Sequence, residues 1–525
     1  MGRLLRVLIW IVGTLQLVVA LMLLRLHWFS QNDIPSLLLL LLQPETSVRS
    51  ASRGNDYRGA PNSDSSVVSS TAGDCTHPLT NATMGGINRY TPVPRVSQKT
   101  YYVMKTQNNA AIAQLLSANP SYRQVEVARE ASIVWTKNMV DVEPMLRLVL
   151  GKGALSFKDV QPWQRINHLR SEKQLDDKER LLDGIRQYYA ERHRSFSSTM
   201  GTVPHPWFMP ESYRLHIEEE RTELARRLDP VTGGGIDEAW VWKDPAAERG
   251  EGVVMLGPGS DQLKDLQTKL VSGTVPSLLR HNSTEKRAKR TIVQKYVPSI
   301  RWEGRHKFDL RIYWLVVSIN PLLVYYHDGH VRVSLTEYDP NDFSEQNLKS
   351  HLTNVAQTLA SRGDSNEKVD EHDVLDLAIR SFDDLDGILR EHMASQPHAS
   401  SHFDARMLAD PLSHIRERMK DVLQTTVAAF RETVFSPEGC PADNCYALYG
   451  ADFMIDEDLN VWLTEVNDIP DMSTTAKAKR KVFDVFAPQI FNMIDEVRDK
   501  QLSNGTATSQ ILPLMSAITW ELSYC

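Results

Sequence analysis

The sequence has little of what marks several common protein classes. Its four cysteines among 525 residues are too few and too scattered for a disulfide framework, and no two have the C-x-x-C spacing typical of zinc ligands. Cys440 and Cys445 are near enough in the chain either to pair or to remain free thiols. The net charge of −7 lacks the lysine and arginine surplus that nucleic-acid binding needs, so no nucleic-acid partner is expected.

Long apolar runs are also scarce, with one exception at the N-terminus. Val7–Leu24 contains no charged residue and lies between Arg6 and Arg25, a length that just reaches the window for a membrane-spanning helix. A cleaved signal peptide is the alternative, but no obvious small-residue cleavage site follows. We therefore expect a single-pass membrane protein anchored within residues 1–30. The excess of positive charge before this segment favours a lumenal position for the rest of the chain.

Composition changes along the remaining chain predict its domains. Residues 31–99 are rich in Ser, Arg, Asn, Gly and Pro without an apolar period, which predicts a flexible stalk. Residues 100–235 show the β-α-β alternation that is typical of a small α/β domain. Strand patterns dominate residues 236–495, where a polar, acidic insertion at 361–408 is expected to carry one short helix. Residues 496–525 form a C-terminal tail.

Individual elements follow from the spacing of apolar and β-branched residues. Strands are predicted at Tyr101–Met104, Ile133–Trp135, Ala239–Trp242, Gly252–Leu256, Ile292–Tyr296, Leu310–Ser318, Leu322–Tyr326, Ala447–Ile455 and Val461–Val466. Helices are predicted at Ala110–Leu116, Gln174–Arg192 and Leu412–Phe435. The fold class is therefore mixed α/β.

The last two predicted strands carry three polar residues in otherwise apolar surroundings. Asp452 lies within the first strand, while Glu465 and Asn467 lie two positions apart on the second and share a face. A hairpin brings Asp452 close to Glu465, and adjacent carboxylates repel each other unless a cation neutralises them. Two carboxylates and an amide suit Mg²⁺ together with nucleotide phosphates. We interpret these residues as a magnesium site, the alternative being polar positions on a solvent-facing hairpin.

Two basic segments are consistent with phosphate binding. Lys243 ends a strand before a glycine-containing turn, whose amides and lysine suit a phosphate group, although a plain hairpin turn explains the pattern better when it is taken alone. In Ile292–Pro298 an apolar edge suits adenine and Lys295 is placed to reach a phosphate. Alone, this segment is indistinguishable from an ordinary strand.

Two further segments place polar groups together. Strict alternation puts Lys307, Asp309 and Arg311 on one face of a strand, which also fits a solvated edge strand. Thr353 and Asn354 are residues that cap helices, and that reading is the better one when the segment is taken alone.

These segments, in this order, resemble the tubulin–tyrosine ligase family, whose catalytic unit has the ATP-grasp fold. The Lys307–Arg311 and Glu465–Asn467 motifs are the most characteristic, and the resemblance covers roughly Tyr101–Ile494. The other matching motifs are Gln164–His168, Trp207–Pro210, Trp242–Lys243, Arg249–Gly252, Gln294–Tyr296, His351–Asn354 and Tyr449–Phe453.

The resemblance implies a role for each residue at a matching position. The residues at the transferred phosphate and the acceptor carboxylate would be Lys307, Arg311 and Arg332. Those that bind ATP would be Lys243, Arg249, Gly250, Gln294, Lys295, Tyr296, Val297, Asp309, Thr353 and Asn354. The Mg²⁺ ligands would be Asp452, Glu465 and Asn467.

The implied reaction joins Tyr, Glu or Gly to a carboxylate of a protein. ATP phosphorylates the carboxylate, and an amino group then attacks the acyl phosphate. Such chemistry needs positioning and charge neutralisation without a protein nucleophile. The partners implied are ATP, Mg²⁺, a free amino acid and an acidic protein or peptide such as the C-terminal tail of tubulin.

The sequence departs from the family pattern at three places. Asp244 follows the strand lysine where the family has proline, Glu251 lies in the phosphate loop, and Asp468–Met472 replaces a turn of small residues, which puts tubulin in doubt as the substrate. Two alternatives remain. One is a non-catalytic ATP-grasp binding protein; the other is a lumenal glycosyltransferase, whose acidic motif would be Asp383–Asp386, within a predicted helix.

Overall fold

The computed structural model describes part of one compact unit of the chain, Thr80–Asp141 with Leu155–Cys525. The described residues are 99–136, 157, 160–161, 163–192, 205–231, 233–244, 252–274, 276, 290–344, 347, 350–351, 353, 371–396, 403–440, 444–504, 508–517 and 519–524. The structural statements below concern these residues.

The expectation of a single-pass membrane protein is corrected. Within the described ranges no helix combines the length and the apolar composition needed to cross a bilayer. The longest described helix, Lys477–Asn504, has sufficient length but carries charged residues in both its first and its second half. The predicted span Val7–Leu24 and the stalk up to residue 98 lie outside the described residues.

The first sheet is parallel and confirms the β-α-β alternation near the start of the described chain. Its strands pair in the order β2-β1-β3-β4. Helix α1 (Ala110–Ala118) connects β1 to β2 and buries Ile112 and Leu116. The four strands are β1 (Lys99–Val103), β2 (Tyr122–Gln124), β3 (Ile133–Trp135) and β4 (Arg165–Ile166).

Two helices follow where the sequence predicted one at Gln174–Arg192. Helix α2 (Lys173–Asp176) is separated from α3 (Lys178–Arg192) by Asp177. The Asp177 carboxylate accepts hydrogen bonds from the backbone N–H groups of Glu179 and Arg180, at 3.0 and 3.1 Å. This side chain therefore caps α3, as aspartate commonly does at helix N-termini, and makes Lys178 the first helical residue.

The second sheet is antiparallel and has the order β5-β8-β6-β7. One face packs against α4 (Glu218–Arg227) and α5 (Asp261–Val271) through a core that includes Trp240 and Val293. Because side chains alternate along a strand, residues such as Val241 point the other way, away from this core. The strands are β5 (Ser212–Arg214), β6 (Trp240–Lys243), β7 (Val253–Leu256) and β8 (Ile292–Lys295).

The third sheet is the largest of the described residues. Its seven strands have the order β12-β11-β10-β13-β14, with β9 paired to β10 and β15 to β11. All of these pairs are antiparallel. The strands are β9 (Arg301–Trp302), β10 (His306–Ile319), β11 (Leu322–Glu337), β12 (Ile379–Arg380), β13 (Ala447–Ile455), β14 (Val461–Asn467) and β15 (Glu521–Tyr524).

Six helices of the described chain surround this sheet. They are α6 (Glu371–Ala378), α7 (Phe382–Ser395), α8 (Ala405–Ala409), α9 (Pro411–Ala429), α10 (Lys477–Asn504) and α11 (Thr508–Ile511). Helices α7 and α9 share a hydrophobic core with Leu310, Ile312 and Trp314 of β10, whereas α10 shares a core with Leu315 and Val317. Strand β10 is therefore covered on both faces over its second half.

The expectation of a single short helix at 361–408 is wrong, because three helices, α6, α7 and the start of α8, fall within the described part of that segment. Leu385 and Leu389 of α7 are fully buried, and these apolar positions were hidden in an acidic composition. The acidic run has a local function: Asp384 forms a capping box with Ser381 at the start of α7. The Asp383–Asp386 motif therefore lies in a helix, whereas the glycosyltransferase alternative expects an acidic motif at the end of an apolar strand.

The C-terminal part of the chain is structured as well. Residues predicted as a tail form the end of α10, α11 and strand β15, which pairs with β11. Cys440 and Cys445 form a disulfide with a Cα–Cα distance of 5.6 Å, just before β13. The disulfide closes the short loop before β13, and β15 ties the C-terminal segment to the third sheet.

Candidate active site

A cleft lies between the second and third sheets, and most of the predicted site residues line it. Helix α3 contributes Lys178, the second sheet contributes Lys243 and Met255, and the third sheet contributes Asp309 and Asp452. The remaining lining residues are Pro210, Val241, Asp244, Val253, Gln294, Lys295, Tyr296, Val297, Lys307, Arg332, His351, Thr353, Met454, Thr464 and Glu465. The second sheet therefore contributes apolar side chains and lysines to the cleft, and the third sheet contributes most of the carboxylates.

The charged wall arises from the alternation predicted for β10. Lys307, Asp309 and Arg311 face the cleft side, while Phe308 and Leu310 face the core beneath. Strand pairing then places further charged residues beside these three. Asp309 lies opposite Arg332 of β11, and Arg311 lies opposite Asp452 of β13. The register of three antiparallel strands thus places alternating charges side by side.

Asp452 is the centre of this wall. It is 1% exposed and accepts hydrogen bonds from Arg311, whose Nε and second nitrogen both contact it, and from Arg332 at 2.8 Å. Burial acts to raise the pKa of Asp452, but the charges of Arg311 and Arg332 outweigh it and hold that pKa far below its usual range. The carboxylate is therefore ionised at any physiological pH.

Arg332 bridges two carboxylates. It donates to both oxygens of Asp309, at 2.6 and 2.7 Å, in the bidentate geometry that fixes a guanidinium most firmly. Thr353 donates a hydrogen bond to the same Asp309 carboxylate. This network fixes the side chains of the wall relative to one another.

Glu465 and Asn467 lie where the hairpin predicted them. Glu465 is directly opposite Asp452, and Asn467 lies two residues further along β14 with its amide nitrogen 3.5 Å from a Glu465 oxygen. Asn467 and Arg311 lie beside the cleft rather than among its lining residues. Lys178 forms an ion pair with Glu465 at 3.1 Å.

These donors fit a divalent cation that is shared with a ligand. Among the described residues no group of three or more His, Cys, Asp or Glu side chains is placed to hold a metal ion by itself. Asp452, Glu465 and Asn467 offer two carboxylates and an amide oxygen, which leaves several positions of an octahedral Mg²⁺ shell for water and phosphate oxygens. Mg²⁺ characteristically binds in this way at nucleotide sites.

Lys243 and Lys295 come from adjacent strands of the second sheet. Lys243 donates to the side-chain oxygen of Gln294 at 2.7 Å, and Lys295 pairs with Glu238 at 2.8 Å. Burial and the nearby charge of Lys178, against the effect of Glu465, together lower the pKa of Lys243 to about 8. Among the described residues Lys243 has no carboxylate within hydrogen-bond range, which suits it to receive an anion.

Lys307 lies in an aromatic cage. Its ammonium is 3.0 Å from the Tyr296 hydroxyl and lies over the rings of Tyr296 and Tyr338. His351 Nε2 lies 2.9 Å from the Asp342 carbonyl, which only accepts, so Nε2 carries the proton and Nδ1 accepts from Tyr296. Burial lowers the pKa of Lys307 to about 8, against the opposing charge of Asp309.

Three predicted site residues cannot be placed, and one cleft residue was not predicted. Arg249, Gly250 and Asn354 lie outside the described residues. Lys178 was not predicted as a site residue, because no local sequence pattern distinguishes it from the other lysines of a helix. The cap at Asp177, an aspartate before the helical pattern, is the signal that locates the helix start and hence this residue.

Gly450 sets the position of Arg311. A methyl group at Gly450 would lie 3.0 Å from Arg311 Cδ and 3.1 Å from Pro470 Cβ. We expect Gly450→Ala to displace Arg311, with a loss of about 1–3 kcal/mol in unfolding free energy, the usual cost of overpacking. Urea unfolding measures this. Gly387→Ala, on α7, is the control, because its new methyl group meets nothing within 4 Å. It is expected to raise the free energy of unfolding by about 0.5–1 kcal/mol. Equal effects in both variants would contradict the packing argument.

The fold and the cleft define a mixed α/β protein with a basic cleft and an acidic hairpin at its edge. A family model described as the tubulin-tyrosine ligase family matches residues 157–503, which is more than half of the chain. The chain therefore belongs to the tubulin-tyrosine ligase family, and the resemblance seen in its sequence is confirmed.

Curated relatives agree with this assignment. The human "Inactive polyglycylase TTLL10" is 24% identical over 311 residues, 59% of this chain and 41% of the relative. The rat "Protein polyglycylase TTLL10" is 25% identical over 372 residues, 70% of this chain and 50% of the relative. The human "Probable tubulin polyglutamylase TTLL2" is 28% identical over 334 residues, 62% and 46% respectively. The chain thus spans about half the length of the curated relatives it matches.

Proposed function

We propose that this chain is an ATP-dependent ligase that joins an amino acid to a carboxylate of an acidic protein, with an ATP-grasp core formed by the second and third sheets. The observation that carries the proposal is the cleft itself. It gathers Lys178, Lys243 and Lys307 opposite Asp452 and Glu465, a set of charges that suits a triphosphate with its cation. Family membership and the names of the relatives support the same reaction class.

In this proposal each group of cleft residues binds a different part of the nucleotide. The adenine lies near Gln294–Val297, and the phosphates extend past Lys243, Lys178 and Lys307 toward Arg332. Mg²⁺, held by Asp452, Glu465 and Asn467, neutralises phosphate charge when bound. Arg249, Gly250, Thr353 and Asn354 complete the nucleotide site.

The reaction would proceed in two steps. A carboxylate oxygen of the acceptor attacks the γ-phosphorus, the bond to ADP breaks, and Arg311 and Arg332 stabilise the charge of the transferred group. The amine of the donor then attacks the acyl carbon, a C–N bond forms, inorganic phosphate leaves and the amine releases a proton. Positioning and charge neutralisation supply the rate, so no protein nucleophile is needed.

Incorporation of a labelled amino acid tests this function. We expect the chain to transfer labelled Gly, Glu or Tyr to an acidic substrate, first to purified tubulin and then to glutamate-rich peptides, with ADP formed in equal amount. Nucleotide binding without transfer to any of these acceptors would favour the second candidate, a non-catalytic binding protein. That candidate is kept because one relative carries the name "Inactive polyglycylase".

The affinity for ATP is expected to fall as pH rises above about 8. The pKa values of Lys243 and Lys307 are about 8, and phosphate binds only their charged forms. Bound phosphate raises both pKa values, so binding takes up protons above pH 8 and weakens by up to about tenfold per pH unit for each lysine. Calorimetry between pH 7 and 9.5 in buffers of different ionisation enthalpy measures this uptake. Lys243→Met is expected to lose part of the dependence, and a flat profile would contradict these contacts.

A further inference from the structure

A second polar cluster lies beyond Arg311, outside the lining of the cleft. Lys479 of α10 donates to the Asp471 carboxylate at 2.6 Å and to the Ser473 hydroxyl at 3.1 Å. Ser473 in turn donates to Asp471 through its hydroxyl and its backbone N–H, at 2.7 and 3.0 Å. The side chain of Lys479 is 10% exposed and that of Asp471 is 47% exposed. The ammonium is thus buried, while the carboxylate opens toward solvent.

This cluster adjoins the charged wall. A methyl group on Gly450 would touch both Arg311 and Pro470, so the turn that carries Asp471 packs beside Arg311. Burial lowers the pKa of Lys479, and the charges of Arg311 and Arg332 lower it further, against the effect of Asp471. All three cations are therefore within electrostatic reach of one another.

A buried histidine belongs to the same region. His330 is 4% exposed, and its Nδ1 has no hydrogen-bond partner among the described residues. Burial and the charges of Lys479, Arg311 and Arg332 lower its pKa well below 6.5, so it adds no positive charge. A buried nitrogen without a partner calls for one, either a water molecule or a polar ligand.

The charges of this region balance. Arg311 and Arg332 are matched by Asp452 and Asp309, and Lys479 is matched by Asp471. Since the proposed reaction commits Arg311 and Arg332 to the transferred group, no cation among the described residues of the cluster is left over for a side-chain carboxylate of the donor. A zwitterion, with one positive and one negative group, can join such a cluster without changing its net charge, whereas a ligand with an extra carboxylate buries an unpaired charge at considerable cost.

From these observations we propose that Asp471 and Lys479 form the subsite of the donor amino acid and that this subsite selects a donor with an uncharged side chain. The inference rests on the proposed ligase function. Asp471 accepts a hydrogen bond from the α-ammonium through the lone pairs left on its outer oxygen, and Lys479 donates its third N–H to the α-carboxylate. The amine then lies beside Arg311, and once its proton has passed to solvent it is placed to attack the acyl carbon.

Ligand binding to the full chain tests the subsite without a protein acceptor. The protein is loaded with Mg²⁺ and a non-hydrolysable ATP analogue, and glycine, tyrosine and glutamate are titrated by calorimetry. We expect glycine or tyrosine to bind at least tenfold more tightly than glutamate. Asp471→Asn is expected to weaken donor binding at least tenfold with the affinity for the ATP analogue unchanged. Asp484→Asn, an exposed position on the same helix as Lys479, is the matched control and should bind like the wild type.

The outcomes separate the two proposals. Tighter binding of glutamate, or unchanged donor binding by Asp471→Asn, overturns the subsite while leaving the ligase proposal standing. Failure of the wild type to bind the ATP analogue overturns both. Asp471→Ser provides a second replacement, with thermal unfolding as the check that either variant is folded.

Discussion

Replacing Asp452 by asparagine is expected to lower the free energy of unfolding by about 3–5 kcal/mol, the usual result of removing one partner from a buried ion pair. Asp452 is 1% exposed, and the guanidinium groups of Arg311 and Arg332 both donate to it. Asparagine keeps the shape but removes the charge, so Arg311 is left buried without a counter-ion. Arg332 retains Asp309, and the loss therefore falls mainly on Arg311.

Urea unfolding measures the change, and a surface pair provides the control. Asp383 pairs with Lys481 at 3.3 Å with both side chains more than 70% exposed, so Asp383→Asn is expected to cost less than about 1 kcal/mol. Nucleotide turnover of Asp452→Asn should fall as well, because Arg311 loses its position. A cost for Asp452→Asn as small as that of the control would show that the two arginines do not depend on this carboxylate.

The same ion pairs show where sequence reasoning succeeded. Strand alternation placed Lys307, Asp309 and Arg311 on one face, and the hairpin placed Asp452 opposite Glu465, as the structure has them. Both predictions depend only on the two-residue period of a strand and on a short connection, which are local properties of the chain. The ends of β13 agree with the prediction, and β14 is longer by one residue.

Pairing between distant strands was beyond this reasoning. Asp452 and Glu465 were expected to repel each other until a cation neutralised them. In the structure Arg311 and Arg332 already neutralise Asp452, across sequence separations of 141 and 120 residues. No local pattern records which residue of β10 will face which residue of β13. Alternating charged residues in a strand therefore predict that one face is polar, but they do not predict which residues form ion pairs there.

The site residues that lie on helices could not be predicted from the sequence. Lys178 and Lys479 reach the cleft and its neighbouring cluster from α3 and α10, and neither was singled out as a site residue. The turn at Asp468–Met472 was noted as a departure, and the structure shows that its Asp471 holds Lys479. Which helical side chains reach the site depends on how the helix packs against the sheet, and that packing depends on the whole fold.

Glu465→Gln is expected to reduce nucleotide turnover by about 100-fold or more while leaving stability nearly unchanged. The carboxylate is the partner of Asp452 in the proposed Mg²⁺ site, and a neutral amide is a far weaker ligand for a hard cation. The Glu465 side chain is 29% exposed and its ion pair with Lys178 is partly exposed, so loss of its charge should cost little folding energy. Steady-state ATP turnover over a range of Mg²⁺ concentrations, with thermal unfolding in parallel, measures both effects.

Two matched variants distinguish the metal from the ion pair. Lys178→Met breaks the same contact with Glu465 but keeps the carboxylate, so it should retain the wild-type dependence on Mg²⁺ concentration even if its affinity for ATP falls. Glu457→Gln changes an exposed glutamate in the loop of the same hairpin and should behave as the wild type. Full turnover in Glu465→Gln would remove the magnesium site from β13 and β14, since the remaining donors, Asp452 and Asn467, include a carboxylate already held by two arginines.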